Sequence, residues 1–277
     1  NMNKSFNRSL FMDQVLNDAQ AMNIEFAEVL FISNRNQMLQ ARNQVLSAMV
    51  DEEMEGLNIR VFHKGCWGFA GSCITRNLNP KKLLKEAVEA AEASSILLNG
   101  QTELAPIQPH AIQWKSPVEI DPFSVPIPEK TGLLFEINGR MSAVEGISEA
   151  NSYIRFQKIH KLYRNSIGSN LDQELVRADS DYTATAVGNG RFESRDYQSM
   201  QRAMGYEFID ADAMLANTER VAKEAVEQLT AKPFNADKAD LIVLPNHTRL
   251  VIHETIGHAT ELDRVLGWEA DFAGTSF

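Results

Sequence analysis

Six residues late in this 277-residue chain carry its clearest chemical signal: His253-Glu254-Thr255-Ile256-Gly257-His258. Two imidazoles, with a carboxylate directly after the first, are the parts of a zinc hydrolase. The imidazoles bind Zn²⁺, and the ion lowers the pKa of its water to about 7. Glu254 accepts that water's proton and passes it to the leaving amine. The spacing is H-E-x-x-x-H, one residue longer than the familiar H-E-x-x-H. Residues four apart on an α-helix differ by about 40° and share a face, whereas residues five apart differ by about 140°. His253 and His258 therefore converge only if the helix gains a residue, as in a π-turn with i→i+5 hydrogen bonds. Gly257 lies inside the interval and removes one Cβ from that turn.

The other candidates for chemistry read as structural. His63, His110, His160 and His247 are expected at the surface or in hydrogen bonds, and His247 is six residues before His253, too far round a helix to join the pair. Cys66 and Cys73 are expected as structural thiols; their spacing suits no common zinc knuckle, and they are too few for a disulfide framework. Trp67 and Phe69, beside glycines, read as core or interface aromatics. The acidic run Asp51-Glu52-Glu53-Met54-Glu55 reads as a solvated strand or loop edge.

The elements that must position the motif can be read from periodicity. Leu10, Phe11, Val15, Leu16, Ala19 and Met22 recur at helical spacing over Ser9 to Met22. Strands are expected at Ile24 to Ile32 and at Met38 to Val45. A strand, tight turn and second strand are expected over Leu57 to Phe69. Asn79-Pro80 opens a helix whose apolar face is Leu84, Ala87, Val88, Ala91 and Leu98. Six of the nine prolines lie between Pro106 and Pro128, so that stretch is neither helix nor central strand.

A helix over Thr131 to Val144 and a β-rich stretch from Ile147 to Ile209 follow, with Gly188-Asn189-Gly190 as a hairpin turn. Asp210 or Asp212 caps a helix reaching about Leu229. Ala239 to Leu244 reads as a short buried strand stopped by Pro245, and Asn246 as the cap of the motif helix. The pattern is α+β, with antiparallel or mixed sheets, packed helices and the active-site segment on a helix. The organisation is an N-terminal unit (1–105), a proline-rich connection (106–130) and a β-rich middle unit ending in a helix (131–232).

Composition narrows the function. Lys and Arg number 27 against 37 Asp and Glu, a net charge of −10. There is no run of four basic residues, so neither nucleic acid nor an anionic membrane is an expected partner. No stretch of about 18 apolar residues suggests a transmembrane helix. Near the start, Lys4 and Arg8 precede no apolar region of a signal peptide, and Asn1 before Met2 reads as a cloning residue. Scarce cysteine fits the cytoplasm.

The motif and its continuation, His253 to Glu261, resemble the H-E-x-x-G-H-x-x-E signature of the TldD/PmbA family, cytoplasmic zinc metalloproteases once described as modulators of DNA gyrase. Gly56-Leu57-Asn58-Ile59-Arg60-Val61 and Gly65-Cys66-Trp67-Gly68-Phe69-Ala70 are similar to that family's G-x-x-I-R-V and G-x-x-G-F-A strand pair. The element order also matches, so the resemblance covers essentially the whole chain.

The resemblance implies that His253 and His258 are zinc ligands, Glu254 the general base, and Glu261 an acid able to orient His258. It implies a peptide or flexible-segment substrate, and a dimer formed either with a second copy or with a motif-lacking paralogue. Members of the family are much longer and take a third zinc ligand, a cysteine, from a C-terminal domain of which residues 233–277 are the opening part. Neither Cys66 nor Cys73 matches that position. The 277 residues alone are therefore expected to hold zinc weakly and to be close to inactive. The alternatives are a non-catalytic binding or assembly subunit of a protease complex and, against the acidic balance, a nucleic-acid-associated role.

Overall fold

The computed structural model describes residues 6–74, 78–98, 100, 102–235 and 238–277. Asn1 and Lys4 lie outside them. Two compact units are formed, Asn1–Thr230 and Ala231–Phe277. Among the described residues no helix is long and apolar enough to cross a membrane.

The first unit is α+β. Its strands are β1 (Phe26–Arg42), β2 (Val45–His63), β3 (Cys66–Cys73), β4 (Ala111–Lys115), β5 (Ile147–Asn165), β6 (Asn170–Gly188) and β7 (Arg191–Gln198). They make one seven-stranded sheet in the order β3-β2-β1-β5-β6-β4, with β7 also on β6. Every ladder is antiparallel except that of β4 with β6. Strands from residues 1–105 and from residues 131–232 thus meet in a single sheet through the β1–β5 ladder.

Helices α1 (Arg8–Ala21), α2 (Pro80–Ser95), α3 (Ile127–Ser142) and α4 (Ala211–Gln228) pack on the sheet. The capping signals are in place. Asn79 accepts from the Lys82 N–H, and Asp210 accepts from the Ala213 N–H, each satisfying a donor that the first helical turn leaves free.

Strands of 17 and 19 residues are long enough, at about 3.3 Å per residue, to carry two cores in sequence. Near one end Ala27, Val29 and Phe31 of β1 pack with Ile59 and Val61 of β2 under Val15 of α1 and Leu84 and Ala87 of α2. Further along, Leu39 and Ala41 of β1 join Ile154, Phe156, Ala178 and Tyr182 under Leu134 and Ile137 of α3 and Val221 and Ala222 of α4. All the β1 members are odd-numbered, so both cores use one face. Between them the same face carries Ser33, Arg35 and Gln37.

Several expected elements differ in extent. Ile24–Ile32 and Met38–Val45 are not separate strands. Uninterrupted pairing with β5 from Glu28 to Arg42 makes β1 one strand through the polar Ser33–Gln37 stretch. Leu10 points to solvent, and α2 ends at Ser95, before Leu98. The acidic run lies within β2, where Asp51 meets Arg35, Glu53 accepts from Ser33 and Glu55 pairs with Arg8.

The largest departure is at Ala239–Leu244, expected as a buried strand. It pairs with nothing among the described residues, and Leu241 and Ile242 are 85% and 88% exposed. A strand needs a ladder partner to satisfy its backbone, and the described residues of the second unit offer none. Nor does Asn246 cap the next helix. Leu244 is the N-cap and Pro245 the first helical residue, where the N–H that proline lacks is not needed.

Candidate metal centre

The motif lies in the second unit. Helix α5 (Pro245–Ile252) runs into a π-helical turn over His253–Gly257, followed by a 3₁₀ turn over His258–Thr260. The backbone N–H of His258 donates to the carbonyl of His253, five residues back. This is the extra residue that the five-residue spacing demands. The chain turns extended at Glu261 before α6 (Leu262–Val265).

The π-turn brings the imidazoles together. The His253 and His258 rings have centroids 4.3 Å apart and planes 81° apart. Glu254 lies between them, with Oε2 3.6 Å from His258 Nε2 and Oε1 3.9 Å from His253 Nε2. One ligand atom from each of His253, Glu254 and His258 falls within 4.8 Å of the others, and among the described residues no other trio of His, Cys, Asp or Glu does so.

On its other side His258 Nδ1 lies 2.9 Å from Glu261 Oε1. An ionised carboxylate only accepts, so Nδ1 carries the proton and Nε2 is left with its lone pair, the form in which a neutral histidine binds a metal. Two imidazoles are donors that zinc takes, and their convergence, with the Glu254 carboxylate close by, fits one ion. The set supplies fewer protein ligands than a closed zinc site has.

Gly257 has a φ ordinary for a helix, and beyond the backbone of its own turn a Cβ built there would meet only the Ile252 carbonyl oxygen, at 3.9 Å.

The remaining histidines have separate settings. His160 Nε2 lies 2.7 Å from Asp172 Oδ1 on the sheet. His63 Nε2 is 3.8 Å from Glu92. His110 and His247 are exposed. Cys66 and Cys73 sit on β3 as free thiols. Trp67 packs edge-on against Phe26 and Phe62 with Arg60 over its ring, and Phe69 is exposed.

Two groups of titratable residues carried no sequence signal. Lys130 of α3 is fully buried. Its Nζ donates to the side-chain carbonyl of Gln37 and, at 2.5 Å, to the Pro122 carbonyl, and lies 5.0 Å from the centre of the Phe156 ring. Gln37 in turn donates to Asp51, which also receives Arg35. Burial holds the Lys130 ammonium below the usual lysine range, while the Arg35 hydrogen bond holds the Asp51 carboxyl below that of an ordinary aspartate. The second group is Asp181, whose carboxyl is pushed up to about 7 by burial and by the neighbouring Asp196 and Asp179. A lysine in Pro-Glu-Lys-Thr and an aspartate in a strand look like solvent-facing residues until the neighbouring elements close over them.

Comparison with known proteins bears on both units. Residues 27–95 match the family model described as PmbA/TldA metallopeptidase domain 1, and residues 120–232 match the model described as PmbA/TldA metallopeptidase central domain. A metalloprotease from Methanothermobacter thermautotrophicus is 24% identical over 251 residues, 91% of this chain and 54% of that protein. A metalloprotease from Methanocaldococcus jannaschii is 28% identical over 214 residues, 76% of this chain and 46% of that protein. The chain thus spans about half the length of the curated relatives it matches. A solved structure from Bacteroides thetaiotaomicron, described as a candidate modulator of DNA gyrase, shares the fold with a TM-score of 0.66 at 14% identity, over 92% of this chain and 57% of that one.

Proposed function

The chain belongs to the PmbA/TldD metallopeptidase family, and from that premise we propose that the intact protein is a zinc-dependent peptidase acting on peptides or flexible protein segments. The observation that carries the reading is the π-turn, which brings the His253 and His258 imidazoles together beside the Glu254 carboxylate.

His253 and His258 would hold the ion through their ring nitrogens. A bound zinc would supply Lewis acidity, polarising a peptide carbonyl and acidifying water. Glu254, beside both rings, takes the proton of the attacking water on a carboxylate oxygen and delivers it to the departing amine nitrogen. Glu261 accepts the Nδ1–H of His258 and so fixes that ring's tautomer and direction. A further protein ligand, expected to be a cysteine, would complete the set in the intact protein, and residues 1–277 alone would hold zinc weakly and cleave little or nothing. A cytoplasmic site of action and a dimer with a second copy or a motif-lacking paralogue belong to the same reading.

The test is Glu254→Gln in the intact protein, assayed for peptide cleavage and for metal content. The expected result is loss of cleavage with about one zinc per chain retained. Cleavage at the parent rate would remove Glu254 from the mechanism, and a parent protein without zinc would favour a binding or assembly subunit.

A further inference from the structure

Both cores use the odd-numbered residues of β1, so helices α1 to α4 lie on one side of the sheet. The other face, even-numbered on β1, carries none of the first unit's helices. Along its middle it is polar, with Asn34 and Asn36 of β1 beside Gln157 and Arg155 of β5 and Arg177 of β6. Its character changes where β4 joins β6.

There, two rows of side chains cross the strands. Leu30, Tyr163, Leu171 and Ile112 stand opposite one another on β1, β5, β6 and β4. Lys161, Gln173 and Trp114 make the next row on β5, β6 and β4. Together they line a pocket of about 380 Å³, within the range of small-molecule sites. Ile112 and Trp114 expose 53% and 43% of their surface. The polar groups around it are unequal. The Tyr163 hydroxyl is committed to Glu28 at 2.7 Å, and Asp172, which also borders the pocket, holds His160 at 2.7 Å. Among the described residues Lys161 is in no ion pair, whereas Lys115 and Lys158 both reach Glu174. Gln173 beside it is exposed.

We propose that this pocket binds a small free carboxylic acid with an apolar body, the body lying against Trp114, Ile112 and Leu171 and the carboxylate meeting Lys161 and Gln173. A lysine stem packs along apolar surface while its ammonium stays at the rim, so a ligand that is apolar at one end and anionic at the other matches both parts. Two strand spacings, roughly 10 Å, separate the backbones of Lys161 and Trp114, which leaves room for such a body between them. The charge is set by the lining. One cation answers a monoanion, whereas a phosphate would call for several donors or a helix N-terminus. The same lining disfavours a peptide. Each peptide bond brings an N–H and a C=O that cost free energy when buried without partners, and beyond the groups at the carboxylate the pocket offers apolar surface and a phenol already bound to Glu28. The site lies wholly within residues 1–230 and stands independently of the peptidase reading.

The probe is octanoate, below its micellar concentration, titrated into the 277-residue chain carrying Trp67→Phe and Trp268→Phe, so that Trp114 is the tryptophan left to report. A saturable blue shift of its emission is expected. Octanamide keeps the apolar body and loses the charge, and is expected to bind at least tenfold more weakly. Lys161→Met, with unchanged circular dichroism, is expected to raise the octanoate Kd at least tenfold and to leave that of octanamide unchanged. The absence of a saturable change, equal affinity for octanoate and octanamide, or an octanoate Kd insensitive to Lys161→Met would each overturn the proposal. Tighter binding of N-acetylphenylalanine than of octanoate would also overturn it, because the occupant would then be a peptide C-terminus.

Discussion

At the scale of single residues, the centre depends on which atoms face which. Glu261 reaches His258 Nδ1 and leaves Nε2 turned toward Glu254. Loss of a carboxylate that orients a ligand histidine typically costs about 10- to 100-fold in metal affinity. Glu261→Ala in the intact protein is expected to fall in that range in competition with a chelator, and an unchanged affinity would leave Glu261 no positioning role. Asp181 makes a separate prediction. Its folded carboxyl titrates near 7, while the unfolded one titrates near the ordinary aspartate value of about 4. Between those values the folded state holds a proton that the unfolded state has lost. Stability is therefore fully present below about pH 4 and falls as pH rises through 7. Asp181→Asn is expected to flatten that part of the profile in urea titrations from pH 4 to 8, and a slope equal to the parent's would place the proton elsewhere.

At the scale of elements, local rules were legible wherever local chemistry decided the outcome. Asn79, Pro80 and Asp210 signal helix starts, Asn189 and Gly190 adopt the positive φ of a tight hairpin turn, and the histidine spacing demands the π-turn. The rules failed where a partner element decides. The polar Ser33–Gln37 stretch reads as a break, yet β2 and β5 on either side hold it in one strand. Leu241-Ile242-Val243 reads as buried, yet none of the described residues pairs with it. Gly68 belongs to the same lesson, since its need is invisible in sequence. A methyl there would lie 1.9 Å from the Ala87 carbonyl oxygen and 2.6 Å from the Ala91 nitrogen, both backbone atoms of α2. Overpacking of this kind typically costs about 1–3 kcal/mol. Gly68→Ala is expected to reach at least the upper part of that range in thermal or denaturant unfolding, whereas Gly132→Ala, with open space around it, serves as the control.

At the scale of the whole molecule, residues 1–230 form one unit with two cores on a shared sheet, and residues 231–277 form another. Between Ala231 and Leu244 the described residues are non-helical, unpaired and mostly exposed. Proteases cut first at segments with few buried contacts and no backbone pairing. Limited proteolysis is expected to cleave between Leu229 and Pro245 and to leave a stable product of residues 1 to about 230, identified by mass. First cuts inside β5 or β6 would contradict this division.

The sequence alone determined the donor types, their five-residue spacing, the helix irregularity that this spacing forces, the α+β class and the helix caps. Each follows from backbone geometry within a few residues. Only the tertiary structure decided that the two strand groups join in one sheet, that Lys130 is buried and Asp181 half-buried, and that Gly68 lies against the backbone of α2. Those properties depend on which distant segments come to lie side by side, and burial and pairing are set by neighbours that no local pattern names.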